Sequence, residues 1–160
     1  MGCGPGQVAK FLQERGVKVF GVDLSPRMIE QARRLNPAIE FQQGDMLALD
    51  IADETLDGIV AFYAIVNLPR ENVVTALREF HRVLKPEGLM LIAFHIGDEV
   101  LHLDEWWGKQ VSVDFFFFET EEVKTYLQQA GFAIEEAMER EPYETVEHPS
   151  RRAYIFARKP

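Results

Sequence analysis

The chain has 160 residues, of which 26 are acidic and 17 basic, giving a net charge of −9 and a pI of about 4.9. That balance argues against a protein that grips nucleic acid by neutralising many phosphates, and the 47% hydrophobic share excludes wholesale disorder. No apolar run approaches the ~20 residues of a membrane span, so a membrane partner is not expected. The lone cysteine, Cys3, cannot form an internal disulfide, which fits a reducing, cytoplasmic setting. The length suits one domain over residues 1–160.

The chain opens on a glycine-rich turn, Gly2-Cys3-Gly4-Pro5-Gly6. A helix follows over 7–15, with Val8, Phe11 and Leu12 at helical spacing. Residues 17–22 read as a strand, being rich in β-branched and aromatic side chains. Ser25-Pro26 is a helix start, since serine caps free amides and proline suits the first helical position. Its apolar face is Met28, Ile29, Ala32 and Leu35, and Asn36-Pro37 ends it. Strands are expected at 39–42, 58–63 and 89–94; the last two lack polar alternation, which predicts burial on both faces. Between them lie a helix over 70–83 and a turn at Lys85-Pro86-Glu87-Gly88. Thr120 has a cap-like place at the start of a helix over 120–130, which Gly131 ends. Residues 132–138 and 152–157 read as two strands with no helix between them, so an antiparallel edge pair is expected. The four phenylalanines 115–118 are expected to pack between a short strand and the helix at Thr120. Alternation of strand and helix makes this a doubly wound α/β sheet.

Three features fall at the carboxyl ends of successive strands, the edge where open α/β sheets bind ligands. Glycines 2, 4 and 6 allow a ligand close to the main chain, and the amides of the next helix start favour an anionic group. Their spacing is not the dinucleotide G-x-G-x-x-G, and a plain tight turn is the other reading. Asp23, 17 residues beyond Gly6, is placed to accept both ribose hydroxyls of an adenosine-type ligand, or to cap a helix with Ser25. Asp45, in Gly44-Asp45-Met46, could meet an adenine amino group or serve only as a turn aspartate.

Together, Gly2–Gly6, the run from Val19 through Asp23 to Met28, Gly44-Asp45-Met46, Leu56–Val60 and Arg82–Leu89 resemble the class I S-adenosylmethionine-dependent methyltransferases over roughly residues 1 to 95. The resemblance implies a mostly parallel, Rossmann-like sheet with an antiparallel C-terminal edge pair. It also implies S-adenosyl-L-methionine as cofactor and a small-molecule methyl acceptor. Carried onto this sequence, Gly2, Cys3, Gly4 and Gly6 would line the methionine end and Asp23 would hold the ribose. Leu24 and Met28 would pack near the adenine, with Asp45, Met46 and Leu47 at its edge. Ala61, Phe62 and Tyr63 would flank the sulfonium, where an aromatic face offers a cation–π contact. The chain departs from the family pattern in two places. The acidic residue that normally stands two positions before the first glycine has no counterpart here, and Asn67 stands where many relatives have histidine.

Methyl transfer needs alignment more than acid–base machinery, so the lack of a catalytic triad is no objection. His95, at the end of a central strand, is the candidate base. Asn67, His102, Trp106, Trp107 and Tyr143 are candidate acceptor-side residues, with Asn67, His95 and the 101–107 segment expected along one cavity. No metal ligand set is expected. A homodimer is left open as partner. Two other readings stand beside methyl transfer: a non-catalytic adenosyl-binding module, and a nicotinamide-dependent oxidoreductase, which the glycine spacing disfavours. In the family the glycine turn follows a central strand, which is not found ahead of Gly2 in this sequence. Its absence would leave two strand edges ~9–10 Å apart, closed directly, filled by another chain, or filled by an upstream segment. The last is the expectation, so that the domain is N-terminally incomplete.

Overall fold

The computed structural model describes every residue except Trp107, and for Trp106 and Lys109 the backbone alone. In chain order the elements are α1 (Gln7–Gln13), β1 (Phe20–Asp23), α2 (Pro26–Leu35), β2 (Glu40–Gln43), β3 (Leu56–Phe62), a 3₁₀ turn (Ile65–Asn67), α3 (Arg70–Val83), β4 (Leu84–His95), β5 (Val100–Trp106), β6 (Lys109–Phe116), α4 (Thr120–Gln129), β7 (Ala133–Arg140) and β8 (Arg152–Arg158). This is the expected α/β architecture. β1 pairs parallel with β2, and β3 parallel with β4. β8 lies antiparallel between β4 and β7, so the C-terminal pair forms one end of the order β3-β4-β8-β7, with β7 outermost.

Apolar periodicity accounts for the helices. α2 begins where expected, with Ser25 Oγ accepting from the Met28 amide at 3.3 Å and proline at the first helical position. It buries Ile29 and Ala32 against Ala9, Ile39 and Phe41 in a small core of its own. α3 and α4 bury Val73, Leu77, Phe80, Val123 and Leu127 with Ile59, Ile92, Phe94 and Ile155 in the larger core. Asn36 closes α2 and does more than that. Its buried side-chain amide donates to the Pro5 carbonyl at 3.1 Å and so ties the glycine turn to α2.

Several expectations change. The turn at 85–88 is absorbed into β4 as an irregular start: Glu87 has φ 65°, and Leu84 and Leu89 oppose Leu56 and Gly58 across a register shift. Thr120 is not a cap; Glu119 holds that position without a side-chain bond, and the Thr120 hydroxyl donates to Glu139. β3 is not buried on both faces. Ile59 and Ala61 lie in the core, whereas Phe62 is 37% exposed. The 100–116 segment is an antiparallel hairpin, β5–β6, not the single short strand expected. Of the four phenylalanines, Phe117 and Phe118 are buried beyond β6, while Phe115 and Phe116 are half-buried at its end. Arg70 anchors the base of the hairpin, donating to the Phe117 carbonyl at 2.7 Å and the Asp98 carbonyl at 3.1 Å.

β1 and β3 do not close on each other: they belong to separate sheets. A cavity of about 1080 Å³ lies between them, lined by Val19, Phe20 and Val22 on one side and Leu56, Ile59 and Val60 on the other. At its carboxyl end the glycine turn bridges the two edges. The Met1 amine donates to the Val60 carbonyl at 2.8 Å, and the Cys3 amide donates to the Val22 carbonyl at 2.9 Å.

Candidate active site

The turn that follows Met1 adopts left-handed backbone at all three glycines, with φ of 61°, 52° and 89° at Gly2, Gly4 and Gly6. The reason is steric as well as conformational. A Cβ on Gly2 would stand 2.6 Å from the Ala64 Cβ, and one on Gly6 would stand 2.8 Å from both Asn36 and Phe41. At Gly4 it would meet nothing within 4 Å, so the main chain there faces open space. Asp23 organises this turn: one carboxylate oxygen accepts from the Gly4 amide at 2.8 Å, the other from the Ser25 amide at 2.9 Å. The cap reading and the ligand reading therefore both have geometry behind them. Each carboxylate oxygen keeps a further lone pair. α1 is only seven residues long and its cap, Gly6, makes no side-chain bond, so the turn rather than the helix start carries this end of the site.

Beside Asp23, the amide of Gly44 donates to the Asp23 carbonyl at 3.0 Å, which brings the loop after β2 against the end of β1. Asp45 folds its carboxylate onto the Leu47 amide at 2.9 Å. Leu24 is 62% exposed, and Met28, Met46 and Leu47 are only partly buried, leaving an apolar lip beside a carboxylate. Cys3 sits half-buried in the turn; burial, then the Asp23 charge, raises its pKa to about 11, so the thiol stays protonated.

Ala61 is a correction. Strand alternation points it into the core with no exposed surface, so its side chain cannot flank a ligand. Phe62 and Tyr63 do reach the mouth of the cavity that also touches Gly2, Cys3 and Gly4. Tyr63 has φ 53°, an unfavourable backbone for a non-glycine residue and of a kind that clusters at functional sites. That kink lays its ring on the His95 imidazole, with centroids 4.8 Å apart and planes 29° apart. Its hydroxyl meets the Tyr154 hydroxyl at 3.2 Å. Burial and that contact push the Tyr63 phenol above its ordinary range and keep it protonated.

His95 is wedged between Tyr63 and Phe117, whose ring lies 5.2 Å away on a near-parallel plane. Its Nδ1 is 2.8 Å from Ser150 Oγ. Burial, then the positive charge of Arg152, lowers its pKa to about 4, so it is neutral at pH 7. Sequence reading missed the group that builds this corner. It is Arg152: charges at strand starts are usually solvated, yet this one is 3% exposed and donates to the His148 and Ser150 carbonyls at 3.2 and 2.7 Å. Glu147 takes two bonds of 2.8 Å from Arg140 and one of 2.7 Å from the Tyr143 amide. These partners pull its pKa down to about 2. The pairing of His95 with Arg152 across β4 and β8 brings the 141–151 loop over the site, a long-range register with no local signal.

The other acceptor-side expectations separate. Asn67 is exposed and donates to the Asp114 carbonyl at 3.3 Å. His102 is also exposed, and its Nδ1 meets the Asp114 carboxylate at 2.7 Å and its Nε2 meets Asp104 at 3.1 Å. Both thus gather at Asp114 on the hairpin, while His95 sits with Ser150. Among the described residues, neither Asn67, His95 nor any of 101–105 lines the large cavity, which is the gap between the sheets and touches the site only at its mouth. Tyr143 is 64% exposed and lies under the Arg140 guanidinium, 4.3 Å from its ring centre. The contacts expected of Trp106 and Trp107 lie outside the described residues. Among the described residues no group of three or more His, Cys, Asp or Glu side chains is arranged to hold a metal ion, and no helix is long and apolar enough to cross a membrane.

A methyltransferase-domain family model matches residues 1–88, more than half the chain and all three of the turns described. The chain belongs to the methyltransferase-domain family. An uncharacterized methyltransferase of Oceanobacillus iheyensis is 32% identical over 143 residues, 89% of this chain and 59% of the relative. A demethylmenaquinone methyltransferase of Chlorobaculum parvum is 40% identical over 77 residues, 48% of this chain and 31% of the relative. The chain thus spans less than two thirds of the length of these curated relatives. Among solved structures, a SAM-dependent methyltransferase of Methanosarcina mazei superposes with a TM-score of 0.88 at 17% identity, covering 99% of this chain and 89% of that one. The [4+2]-cyclase SpnF superposes with a TM-score of 0.79 at 20% identity, covering 99% and 73%. These likenesses confirm the Rossmann-like fold; at such identities the fold is all they carry.

Proposed function

We propose that this methyltransferase domain binds S-adenosyl-L-methionine and transfers its methyl group to a small molecule in the cytoplasm. The observation that carries the reading is the convergence of the glycine turn, Asp23 and the Asp45–Leu47 loop at the carboxyl ends of β1 and β2, opposite Phe62 and Tyr63 at the end of β3. The residues fit the group. Main chain faces open space at Gly4, a carboxylate with unused lone pairs suits a ribose diol, and the exposed Leu24 beside Met28, Met46 and Leu47 suits a flat base.

When bound, the cofactor supplies an electrophilic methyl on a sulfonium. The protein's part is to hold donor and nucleophile in line, which can supply much of the acceleration. Phe62 and Tyr63 offer aromatic faces to a cation. His95 is neutral at pH 7, so it offers a lone pair to an acceptor hydrogen, fixing the nucleophile's orientation rather than storing its proton. The curated relatives' names span a demethylmenaquinone acceptor and, in Enterobacter lignolyticus, a malonyl-[acyl-carrier protein] O-methyltransferase, so they do not single out an accepting atom for this chain.

Calorimetry with S-adenosylmethionine, S-adenosylhomocysteine and NAD tests the cofactor: binding of the first two and not the third is expected. Tight NAD binding without adenosylmethionine binding would overturn the reading. Transfer of labelled methyl to a panel of phenols, amines, thiols and carboxylates then tests the reaction. A second reading, adenosyl binding without methyl transfer, draws on the shared fold of a [4+2]-cyclase. It predicts cofactor binding with no labelled product.

A further inference from the structure

One hydroxyl, Ser150 Oγ, lies between two imidazoles: 2.8 Å from His95 Nδ1 and 3.3 Å from His148 Nδ1. A serine hydroxyl has one proton and two lone pairs. It cannot donate to both rings, so at least one of them must carry its own proton on Nδ1 and donate to Oγ. His148 is exposed, and water can satisfy either of its nitrogens. His95 has no such freedom, being packed between Tyr63 and Phe117.

The other nitrogen of His95 is the informative one. Nε2 has no hydrogen-bond partner among the described residues, yet no buried side-chain nitrogen or oxygen among them is left unpartnered. Nε2 therefore opens onto accessible space, on a ring stacked against the Tyr63 that lines the mouth beside Gly2 and Gly4. If Ser150 donated to His95, the imidazole proton would sit on Nε2 and block it as an acceptor. If Ser150 accepts from His95 Nδ1–H and donates to His148, Nε2 is a bare lone pair.

We propose that Ser150 is a positioning residue that holds His95 as the Nδ1–H tautomer, so that Nε2 presents an unprotonated lone pair to the methyl acceptor. This rests on the reading of His95 as an acceptor-side residue. The serine is itself held firmly. Its amide donates to the His148 carbonyl at 2.8 Å, and its carbonyl accepts from the buried Arg152 guanidinium at 2.7 Å. The adjoining Arg151 carbonyl accepts from the Ile96 amide at 2.9 Å, one residue beyond His95. The 141–151 loop thus delivers a hydroxyl to Nδ1 in fixed register with the strand that carries the imidazole, and with Oγ accepting from Nδ1–H the Nε2 lone pair is left bare.

The test is nitrogen-15 NMR of the four histidines in the 160-residue protein, at a pH well above the histidine range, with His95 assigned from His95→Asn. The parent should show His95 Nδ1 in the protonated range and Nε2 in the unprotonated range. Ser150→Ala should lose that pattern, giving averaged or inverted signals, and Ser150→Thr, which keeps the hydroxyl, should restore it. A parent protonated on Nε2, or a Ser150→Ala pattern identical to the parent, overturns the proposal. Turnover separates it from the reading beneath it. If the tautomer behaves as expected but His95→Ala transfers methyl at the parent rate, the acceptor-side role of His95 falls while the Ser150 assignment stands.

Discussion

The two sides of this site are made differently. The side assigned to the cofactor is mostly backbone: left-handed glycines, amides drawn onto Asp23, and a loop folded by Asp45 onto the Leu47 amide, all gathered at the carboxyl ends of β1 and β2. The side assigned to the acceptor is made of side chains brought from far apart, with Tyr63, His95, Phe117 and Ser150 drawn from four elements or loops. Backbone geometry leaves a sequence signature, because only certain residues tolerate it. Convergence of side chains leaves none, because it depends on strand pairing between distant segments. The first side should therefore respond to substitution through fold and affinity, and the second through turnover and pH.

The largest effect expected is at the turn. Gly6→Ala puts a Cβ within 2.8 Å of Asn36 and Phe41 at φ 89°. The left-handed backbone costs about 1–2 kcal/mol and overpacking about 1–3 kcal/mol. Chemical denaturation should show the sum of these and calorimetry a loss of adenosylmethionine binding; unchanged stability would mean the turn is not held as described. On the other side, His95→Ala should lower turnover by about 100-fold, the low end for proton-handling groups because its basicity is low. Adenosylmethionine affinity should stay near the parent value. A joint loss of both would blur the division between the two sides.

Asp23→Ala should weaken adenosylmethionine binding by about 1.5–3 kcal/mol, the value of hydrogen bonds to a charged group. Asp23→Asn is the control, since its side-chain oxygen can still take an amide proton from Gly4 or Ser25. Full recovery of affinity in the asparagine variant would assign Asp23 to the turn rather than the ligand.

A pH titration separates two groups on the acceptor side. His95 has its folded pKa lowered from 6.5 to about 4, so its neutral form is favoured by folding. That contribution is complete above pH 6.5 and is lost as pH falls toward 4. Glu147 is lowered from 4.5 to about 2, so its contribution is present above pH 4.5 and fades below it. Stability measured against pH should decline in two stages; His95→Asn should shrink the first, to which half-buried His81 also contributes with a lowered pKa, and leave the second unchanged. The smallest effect expected is at His102. It is exposed and paired with Asp104 and Asp114 on the hairpin surface, and such pairs are worth little. His102→Ala should leave Tm and turnover unchanged; a large loss of turnover would move the acceptor site onto the hairpin.

Much of the framework was legible in the residues themselves. The span of α3, the Ser25 cap, the parallel strands and the antiparallel C-terminal pair follow from apolar period, cap chemistry and the absence of a crossover helix. Ala61 was misplaced because a run of apolar residues does not show which face of β3 each one takes; alternation from Ile59 decides it. The hairpin at 100–116 is legible only as one short strand because polar His102, Asp104, Glu105 and Asp114 sit among its apolar residues and mask the second strand's pattern.

What the sequence determined on its own was the local chemistry of the cofactor side: the left-handed glycines of the turn, and the Asp23 and Asp45 carboxylates on the Ser25 and Leu47 amides, each two residues away. What tertiary structure alone decided was that β1 and β3 do not close on each other, the burial of Arg152, and the meeting of His95 with Ser150. Each depends on which strand edge lies beside which. Pairing β8 with β4 brings residues 55 positions apart within hydrogen-bond reach, and neither partner has a neighbour in the chain that announces the other.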